Sequence, residues 1–445
     1  MQPNPYISYK NIFRIAWPVM LSSLGQNLIY LVDTSFLGRV SEYDLGASAI
    51  GGIFYLLLFM IGYAMNTGMQ VIVARRKGEG KEHEIGDVVD HELRLILIVA
   101  LLQFVAMHFF SNQILSLIIK SDIIREKAVS FLEYRSYGIL FALINSCFMS
   151  FFIGIGDTKV TTRTTGVMVA VNVFFLYCLV FGNLGFPRME IAGAGLASSI
   201  AEGTVTIVFV VFIFVKKFNE RFGLFQFKKF NPALVLSMLN LSAPLIFQQL
   251  ISVGSWWIFF IAIEHLGERA LAISNLIRSL YTLYGVPVWA LAMSTSSMTS
   301  NLMGQGKPDD VIPLIKKIGL FSFGMAVLFG LVMLLFPVQV LLIFTNDIQL
   351  IKESIPSLYT IVFALMLFSI AVLSIFAVSG TGATKVSLII EIVCIVAYLV
   401  YVYFTAIQFN LGLPIIWMAE IVYWVVALCG CYYYLTRGNW RDKKV

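Results

Sequence analysis

The sequence predicts an all-α integral membrane protein with twelve transmembrane helices in two parallel six-helix repeats. Three observations support this fold class: the composition, the number of long apolar runs and an internal duplication. Of the 445 residues, 59% are apolar and only 13% are charged. A soluble protein of this length needs more polar surface than these residues supply, so the composition excludes a soluble globular fold.

The apolar runs give the number of spans. A helix needs about 20 mostly apolar residues to cross the hydrocarbon core of a bilayer. The sequence contains twelve runs of this kind, and six of them fall in each half. They lie near residues 12–37, 46–73, 93–111, 130–154, 160–184, 192–216, 234–263, 271–302, 312–336, 356–380, 385–409 and 412–436.

The duplication indicates how the two halves are related. Residues Gly154–Val160 and Gly380–Val386 are identical at five of seven positions and lie 226 residues apart. We call this spacing the repeat offset. It also relates Pro18 to Pro244. Because six spans return the chain to the side of the membrane from which it started, the two halves must be parallel repeats. We therefore expect two matched six-helix lobes.

A hydrophilic segment separates the lobes. The predicted division is an amino-terminal lobe over 1–215, a cytoplasmic linker over 216–231 and a carboxyl-terminal lobe over 232–445. Phe218, Phe222 and Phe225 of the linker fall on one helical face among lysines and arginines, which is typical of a segment in the membrane interface. The alternative is a solvated elbow whose lysines hold the lobes at the inner leaflet.

The placement of basic residues predicts the topology. If the amino terminus is inside, 22 of the 31 lysines and arginines fall in cytoplasmic segments or at nearby helix ends. Lysine and arginine accumulate in short cytoplasmic loops. We therefore predict a multi-pass protein of the plasma (inner) membrane with both termini in the cytoplasm.

Acidic residues within the apolar runs are the first functional candidates, because a charge at the centre of a spanning helix costs about 2.5–3.5 kcal/mol on insertion scales. Glu264 lies at the end of the seventh run, where a solvated helix end explains it. The remaining acids are candidates for cation coupling. They are Asp33, Glu202, Glu391 and Glu420.

Asp33 and Glu202 are the candidates in the amino-terminal lobe. Counted from the ends of their spans, they lie at comparable depth, so a shared cation-coupling site is geometrically possible. Asn172 and Ser198, on the fifth and sixth spans, could supply oxygens for a cation or hydrogen bonds for a protonated carboxyl. A carboxylate that only bonds to a helix neighbour is the alternative for both acids.

Glu391 and Glu420 are the candidates in the carboxyl-terminal lobe. Glu420 occupies the twelfth span much as Glu202 occupies the sixth, at a spacing slightly shorter than the repeat offset, which implies a short deletion. Glu391 follows the cytoplasmic turn that contains Lys385, whereas Glu420 enters from the other side, so their depths should differ by about half a membrane. Glu391 could instead pair with Lys385 across helical turns.

Polar and aromatic residues in the spans are candidates for a substrate cavity. Arg135 and Arg278 could pair with the acids or meet an anionic substrate, although snorkelling to the interface explains each alone. Aromatic faces suit flat or cationic ligands, although aromatic residues are also common at membrane interfaces. The cavity candidates are Gln26, Tyr30, Gln248, Gln249, Trp256, Asn275, Arg278, Tyr281 and Trp289.

Motifs of enzymes and metal sites are not found in the sequence. There is no phosphate-binding glycine loop and no His-Glu-x-x-His, and the four histidines do not cluster. The five cysteines lack metal-ligand spacing and are predicted as core residues. We expect no enzyme activity, no metal, no cofactor and no nucleic-acid partner. Two unlike halves also favour an alternating-access carrier over a symmetric pore.

Short motifs spread over both halves resemble those of the multidrug and toxic compound extrusion (MATE) family. Their order and spacing cover essentially the whole chain. They lie at residues 16–18, 32–38, 74–80, 156–159, 193–197, 242–244 and 248–249. The resemblance implies a V-shaped, MATE-like arrangement of the two lobes. It also implies export of drugs, toxic compounds or metabolites, coupled to inward movement of H⁺ or Na⁺.

The resemblance further implies roles for single residues. The coupling aspartate of the family corresponds to Asp33, and its fifth-span asparagine corresponds to Asn172. Leu176 stands where the family often has another aspartate, and Ser252 stands where some branches carry a glutamate. Because a sodium site needs several oxygens, these departures favour H⁺ as the coupling ion.

Two alternative functions remain open: a flippase of lipid-linked precursors with the same fold and, less favoured, an intramembrane transferase. The expected partners are a small-molecule substrate and the lipid bilayer, and the expected functional unit is a monomer.

Overall fold

The computed structural model describes residues 5–443, and the regular structure in this range is helical. Twelve of these helices are long and apolar enough to cross a membrane, which confirms the predicted number of spans. They are α1 (Tyr9–Leu37), α2 (Glu42–Gly78), α3 (Glu82–Ser116), α4 (Asp122–Ile155), α5 (Lys159–Phe181), α6 (Glu190–Val215), α7 (Pro232–Glu264), α8 (Glu268–Gly304), α9 (Val311–Leu335), α10 (Ile348–Gly380), α11 (Thr384–Val402) and α12 (Ala419–Arg437).

Shorter helical segments lie between several of the spans. A π-helical segment extends α11, and separate short helices follow α6, follow α9 and precede α12. These segments are Tyr403–Gln408, Phe218–Phe222, Pro337–Leu342 and Leu413–Ile416. The twelfth apolar run is therefore not one continuous helix.

Helix α3 is longer than the apolar run that predicted it. The run covered 93–111, whereas the helix begins at Glu82 and ends at Ser116. The first turns of α3 contain charged residues, so a search for apolar runs excludes them. Acidic side chains near a helix N-terminus nevertheless stabilise the helix. The extension places Asp90 and Glu92 in the buried part of α3.

The second glycine of the duplicated turn has a positive φ in both halves. Gly156, at the end of α4, has a φ of +79°, and Gly382, just past the end of α10, has a φ of +89°. Glycine enters this left-handed region without the steric cost that other residues incur. The second glycine of the repeated motif is therefore required to end a helix.

The first glycine of the motif permits a close helix crossing. A Cβ on Gly154 would lie 3.2 Å from the carbonyl oxygen of Gln70, and a Cβ on Gly380 would lie 2.4 Å from that of Ser296. The repeat offset also relates Gln70 to Ser296, so the same contact is made in both repeats. The duplication therefore preserves a helix crossing together with the turn that follows it.

Packing divides the chain into two compact units. The amino unit contains Leu21–Ile246, and the carboxyl unit contains the residues from Phe247 onward together with the described residues up to Met20. The boundaries fall inside α1 and α7, two residues after Pro18 and Pro244. Each unit thus contains five whole spanning helices of one repeat and parts of α1 and α7.

Each unit is built around one central helix. In the amino unit, α4 packs against α2, α3 and α6, and α5 packs against α6. In the carboxyl unit, α10 packs against α8, α9 and α12, and α11 packs against α12. The most apolar stretch of both central helices is 72% buried, compared with 17% for α2. The core of each unit therefore surrounds the helix that ends in the duplicated turn.

The linker is attached to α3 and does not form the predicted interfacial helix. Its helix covers only Phe218–Phe222, and Phe225 follows with a φ of +62°, so the three aromatic residues do not share one helical face. Both carboxylate oxygens of Asp90 accept backbone hydrogen bonds, from Phe225 and Phe227, at 2.8 Å each. These tertiary bonds override the helical period of the linker, and Phe222 is buried.

One cysteine contradicts the prediction that all five are core residues. Cys429 is exposed, whereas Cys431 on the same helix is buried. Two residues correspond to a rotation of about 200° around an α-helix, so these side chains point to opposite sides of α12. An apolar run identifies a span, but it does not show which face of the span is buried.

Candidate functional site

Asp33 on α1 faces polar side chains from α5 and α6 within the amino unit. The Ser198 hydroxyl donates to Asp33 Oδ2 at 3.4 Å, and Asn172 Nδ2 donates to Ser198 Oγ at 3.1 Å. Asn172 and Ser198 are buried, and Asp33 is half-buried. The structure thus brings together three of the four residues predicted for the coupling site of the amino-terminal lobe, and we call these three residues the Asp33 cluster.

Two oxygens of the Asp33 cluster have no hydrogen-bond partner among residues 5–443. They are Asp33 Oδ1 and Asn172 Oδ1, and both atoms are buried. Leaving a buried acceptor unsatisfied costs about 1–3 kcal/mol, so such atoms are rare in folded proteins. The arrangement can accept a proton on the Asp33 carboxylate or a small cation at these oxygens.

Glu202, the fourth residue predicted for the coupling site of the amino-terminal lobe, is bound by Arg135. Two guanidinium nitrogens donate to the carboxylate oxygens at 2.7 Å each. The Arg135 Cζ lies 3.9 Å from the centre of the Tyr55 ring, and the Tyr55 hydroxyl donates to Glu202 at 3.3 Å. Bidentate pairs of this kind are among the strongest ionic contacts in proteins, so Arg135 compensates the charge of Glu202.

A glycine makes room for the Arg135–Glu202 pair. A Cβ on Gly138 would lie 2.3 Å from Arg135 Nη1 and 2.5 Å from Glu202 Oε2. The charges of both partners also act on Asp33. The pair therefore belongs to the electrostatic environment of the Asp33 cluster, and a direct role of Glu202 in coupling stays a prediction.

Glu391 lies in a hydrogen-bonded group of the carboxyl unit. The Tyr423 hydroxyl donates to Glu391 Oε1 at 2.5 Å, and Gln248 Nε2 donates to Glu391 Oε2 at 3.3 Å. The side-chain oxygen of Gln248 in turn accepts a bond from Ser387 at 3.2 Å. Lys385, the alternative partner suggested by the sequence, is exposed and forms no ion pair with Glu391 in the described part of the chain.

Glu420 is buried among aromatic side chains and is 2% exposed. The indole N–H of Trp424 donates to Glu420 Oε2 at 3.2 Å and to the Tyr281 hydroxyl at 3.1 Å. Tyr281 and Tyr398 both lie close enough to Glu420 to interact with it. The groups around this carboxyl are therefore neutral hydrogen-bond donors.

Glu391 and Glu420 are connected through Tyr423. The Tyr423 hydroxyl donates to Glu391, and Tyr423 lies three residues after Glu420, a rise of about 4.5 Å along α12. The long tyrosine side chain covers part of the remaining distance, so the predicted difference in depth between the two acids stays a prediction.

The nine cavity candidates divide between the two units. Gln26 and Tyr30 lie in the amino unit, where Gln26 Nε2 is 3.5 Å from the sulfur of Met149 and Tyr30 is 64% exposed. Gln248, as described, bonds Glu391. Gln249 is half-buried in the carboxyl unit.

The other cavity candidates include an aromatic cluster in the carboxyl unit. The Trp256 ring lies 5.4 Å from that of Tyr281, and Phe368 contacts both Tyr281 and Trp289, at 5.5 and 5.9 Å. Arg278 is exposed and lies over an aromatic ring, and Asn275 is half-buried. The structure groups three of the candidates, and a cavity shared by all nine stays a prediction.

One buried acid was missed by the sequence reasoning. Glu92 on α3 is 0% exposed, and neither of its carboxylate oxygens has a hydrogen-bond partner among the described residues. It lies immediately before the run 93–111 and was therefore not counted within a span. The signal was present in the helical spacing, because Glu92 shares a face with buried Ile85, Val89 and Ile96.

A family model matches both halves of the chain. The model described as MatE matches residues 18–178 and again residues 244–404. The two matches cover more than half of the chain, and the repeat offset relates the start of one to the start of the other. Each match therefore corresponds to one of the repeats indicated by the duplicated turn.

Curated relatives are similar over most of the chain. A probable multidrug resistance protein NorM of Thermotoga maritima is 24% identical over 98% of this chain and 94% of its own length. A probable multidrug resistance protein NorM of Pasteurella multocida is 22% identical over 87% of this chain and 84% of its own length. The similarity therefore extends across both repeats.

Solved structures share the fold at low sequence identity. A multidrug resistance MATE family transporter of the MOP superfamily in an outward-facing conformation has a TM-score of 0.90 and 19% identity, with 98% of this chain and 97% of that chain covered. A MOP superfamily transporter from Pyrococcus furiosus has a TM-score of 0.89 with the same identity and coverage. These likenesses confirm the predicted fold class.

Proposed function

The chain belongs to the MatE family of membrane transporters, and from this premise we propose that it exports drugs, toxic compounds or metabolites in exchange for an inward-moving cation. The names of its relatives as multidrug resistance proteins support this cargo. Its partners are a small-molecule substrate and the lipid bilayer. The finer elements of the proposal are the coupling ion, the alternating-access mechanism and the residues that perform it.

The Asp33 cluster is the observation that carries the proposal. An acid on a spanning helix is energetically costly, and acids in such positions usually have a function. Asp33 faces Asn172 and Ser198, and one of its buried oxygens is satisfied by no described group. A carboxylate in such a place gains a proton or a cation more readily than one that is fully hydrated. We therefore assign cation coupling to Asp33.

We take H⁺ as the coupling ion. A sodium ion needs several oxygen ligands, and the cluster offers few: Ser198 already donates to Asp33 and accepts from Asn172. A proton needs only one free oxygen of the Asp33 carboxylate. The donor set thus favours a proton over a metal ion.

Alternating access follows from the change of charge on Asp33. The ionised carboxylate favours the arrangement in which polar groups or water reach it, and the protonated carboxyl favours the arrangement in which it is buried. Because one ion shifts the equilibrium between two states, entry of a proton from outside can drive release of substrate to the outside. Asp33 therefore acts as the switch, and Asn172 and Ser198 orient it.

The proposal is tested by transport in proteoliposomes, with ethidium as the first probe and a panel of drugs and anionic metabolites after it. A pH gradient should drive export by the wild type, and Asp33→Asn should abolish this export because the amide cannot cycle a proton. Asp122→Asn is the matched control, since the Asp122 side chain is 76% exposed, and it should transport at the normal rate.

Three outcomes would redirect the proposal. Gradient-driven export by the Asp33→Asn variant at the normal rate would remove Asp33 from the mechanism. Export driven by a sodium gradient and not by a pH gradient would replace H⁺ with Na⁺. Movement of lipid-linked precursors in place of the whole small-molecule panel would favour a flippase.

We also propose that the protein acts as a monomer in the inner membrane with both termini in the cytoplasm. The distribution of lysines and arginines supports the orientation. Fusion of a reporter enzyme that works only outside the cytoplasm to each terminus tests it, and activity of either fusion would reverse the assignment.

A further inference from the structure

The two repeats place equivalent glutamates in different electrostatic surroundings. The repeat offset carries Tyr55 onto Tyr281. Tyr55 donates to Glu202 at 3.3 Å, and Tyr281 lies beside Glu420 and shares the indole N–H of Trp424 with it. A tyrosine at the same position thus meets a glutamate on the last helix of each repeat, which supports the equivalence of Glu202 and Glu420.

Among the residues that the structure describes, the cation that compensates Glu202 has no equivalent beside Glu420. Arg135 binds Glu202 through two bonds of 2.7 Å, and the corresponding position in the second repeat is Ile361. Ile361 is fully buried. The second repeat therefore retains the acid and its tyrosine but has an aliphatic side chain in place of the guanidinium.

The described groups that form hydrogen bonds with Glu420 are neutral, and they come from three helices. Tyr281 from α8, Tyr398 from α11 and Trp424 from α12 interact with it. Glu391 accepts a hydrogen bond from the Tyr423 hydroxyl, and Tyr423 interacts electrostatically with both glutamates. The described cation on the same stretch of α8, Arg278, lies 4.9 Å from the centre of the Phe260 ring.

These surroundings fit a proton better than a metal ion. An indole N–H has no lone pair to offer a cation, and a carboxylate that receives such a donor is already partly satisfied. An ionised Glu420 in this place would be a buried charge without a counter-charge, which is unfavourable, whereas a protonated one is a neutral group with hydrogen-bond partners. The protonated form therefore suits the buried state.

We propose that Glu420 is a second proton-carrying carboxyl, which binds a proton in this buried arrangement and releases it when the carboxyl unit opens to water. The proton passes between a carboxylate oxygen of Glu420 and a water molecule, and only O–H bonds form and break. In combination with Asp33, this gives one titrating acid in each repeat. The proposal rests on proton coupling as proposed above, but its test needs no transport.

Infrared difference spectroscopy of the purified full-length protein, recorded between acid and alkaline pH without substrate, tests the proposal. The wild type should show carboxylic C=O bands from buried acids that disappear as the pH rises. Glu420→Gln should lose one component of this signal, and Asp33→Asn should lose a different one. Glu391→Gln, in the same unit, is the matched control and should retain the Glu420 component.

Two further variants keep Glu420 itself, so they test the assignment even if Glu420→Gln fails to fold. Trp424→Phe removes a hydrogen-bond donor but leaves the acid, so the Glu420 component should shift in frequency and remain. Ile361→Arg restores the missing cation, so the component should disappear because the carboxylate is then held ionised. Both variants are read only in samples that remain monodisperse in detergent.

The proposal is overturned if Glu420→Gln shows the same pH-dependent carboxyl bands as the wild type, or if the assigned component disappears in Glu391→Gln. A failure of pH-driven export, in contrast, would affect the proposed function and leave the spectra readable. The two hypotheses can therefore fail independently.

Discussion

The two repeats share one helical arrangement but carry their polar groups at different positions within it. Asp33 corresponds to Phe259 in the second repeat, and Asn172 corresponds to Tyr398. The rings of Phe259 and Tyr398 pack at 5.7 Å between centres. The first repeat has a carboxylate with a buried oxygen that no described group satisfies, whereas the second has packed aromatic side chains at the corresponding positions. The described part of the second repeat therefore lacks a counterpart of the Asp33 cluster.

At a second pair of equivalent positions, the second repeat has the acid and the first repeat does not. Ser22 and Thr165 share a hydrogen bond of 2.6 Å in the first repeat, and the corresponding residues of the second repeat are Gln248 and Glu391, which bond at 3.3 Å. The duplication kept the contact between the same two positions but placed an acid in only one of them. Contact positions are therefore shared by the repeats, whereas charge is not.

The largest test of this comparison is removal of the guanidinium that only the first repeat has. Arg135→Leu leaves Glu202 without its partner. Each of the two side chains is 12% exposed, so the cost should lie at the lower end of the about 3–5 kcal/mol lost when a fully buried pair is broken. Thermal unfolding in detergent should therefore show a large decrease in Tm. Arg278→Leu is the control, because Arg278 is exposed, and it should change Tm little.

The double variant Arg135→Leu/Glu202→Leu separates charge from packing. Replacing both partners of a buried pair with apolar side chains is often neutral, so most of the lost stability should return. If Arg135→Leu were as stable as the wild type, Glu202 would not depend on Arg135, and its contrast with Glu420 would lose its basis.

A second test compares two small residues at equivalent positions, one of which lies beside the Arg135–Glu202 pair. Gly138 corresponds to Ala364, which is fully buried in the second repeat. Gly138→Ala should cost about 2–3 kcal/mol, since its Cβ would clash with Arg135 and Glu202 and overpacking of this kind is destabilising.

Ala364→Gly is the matched control, measured by the same thermal unfolding. It should cost only about 1 kcal/mol, the usual penalty for glycine in a helix. Equal losses at both positions would mean that the glycine serves the helix crossing alone and that the ion pair can adjust around an added methyl group.

The comparison also shows what could be predicted from the sequence. Twelve spans and the repeat offset were predictable because hydropathy and duplication are properties of the linear chain. The proximity of Asp33, Asn172 and Ser198 was predictable from their depth along their spans and from the family resemblance. In contrast, Tyr55 and Tyr423 were not identified as partners of acids, because the rotation of one helix against another is set by packing and not by depth.

Local pattern reasoning failed where tertiary bonds decide the conformation. The aromatic face expected over Phe218, Phe222 and Phe225 does not form, since Asp90 binds the backbone of the linker. Glu92 was missed for a related reason, because a buried helix can continue beyond its apolar run when its charged residues face protein. Both errors concern the same end of α3.

A third test, with a smaller expected effect, concerns Glu391, the acid that the second repeat has where the first repeat has Thr165. Tyr423→Phe removes the hydroxyl that donates to Glu391 at 2.5 Å, and this should cost about 1–2 kcal/mol. Ser22→Ala, at the equivalent level of the first repeat, removes a bond between two hydroxyls and should cost about 1 kcal/mol or less. Equal shifts of Tm would indicate that the bond from Tyr423 to Glu391 contributes no more stability than the bond between Ser22 and Thr165.

The ion pairs at the starts of the central helices also differ between the repeats. In the first repeat, Lys127 on α4 binds Asp44 on α2 at 2.8 Å. In the second, Arg269 on α8 binds Glu353 on α10 at 2.6 Å and Asp347 at 3.0 Å. Glu353 occupies the position that corresponds to Lys127, so the two repeats join the same helices with the charges exchanged.

The smallest effect is expected from Asp347, because exposed ion pairs are weak and are screened by solvent and salt. Hydrogen bonds from the backbone N–H of Leu350 and then from Arg269 hold the pKa of Asp347 below its usual value. A lowered folded-state pKa contributes stability above the unfolded pKa of about 3.9, and this contribution is lost as the pH falls through the folded value. Asp347→Asn should therefore flatten the acid side of a Tm profile against pH. Arg269→Gln should flatten it as well, because Arg269 also holds the pKa of Glu353 below its usual value, although Leu350 still donates to Asp347 at 3.0 Å. An Asn variant that follows the wild-type profile into acid would show that the second repeat does not draw stability from this carboxylate.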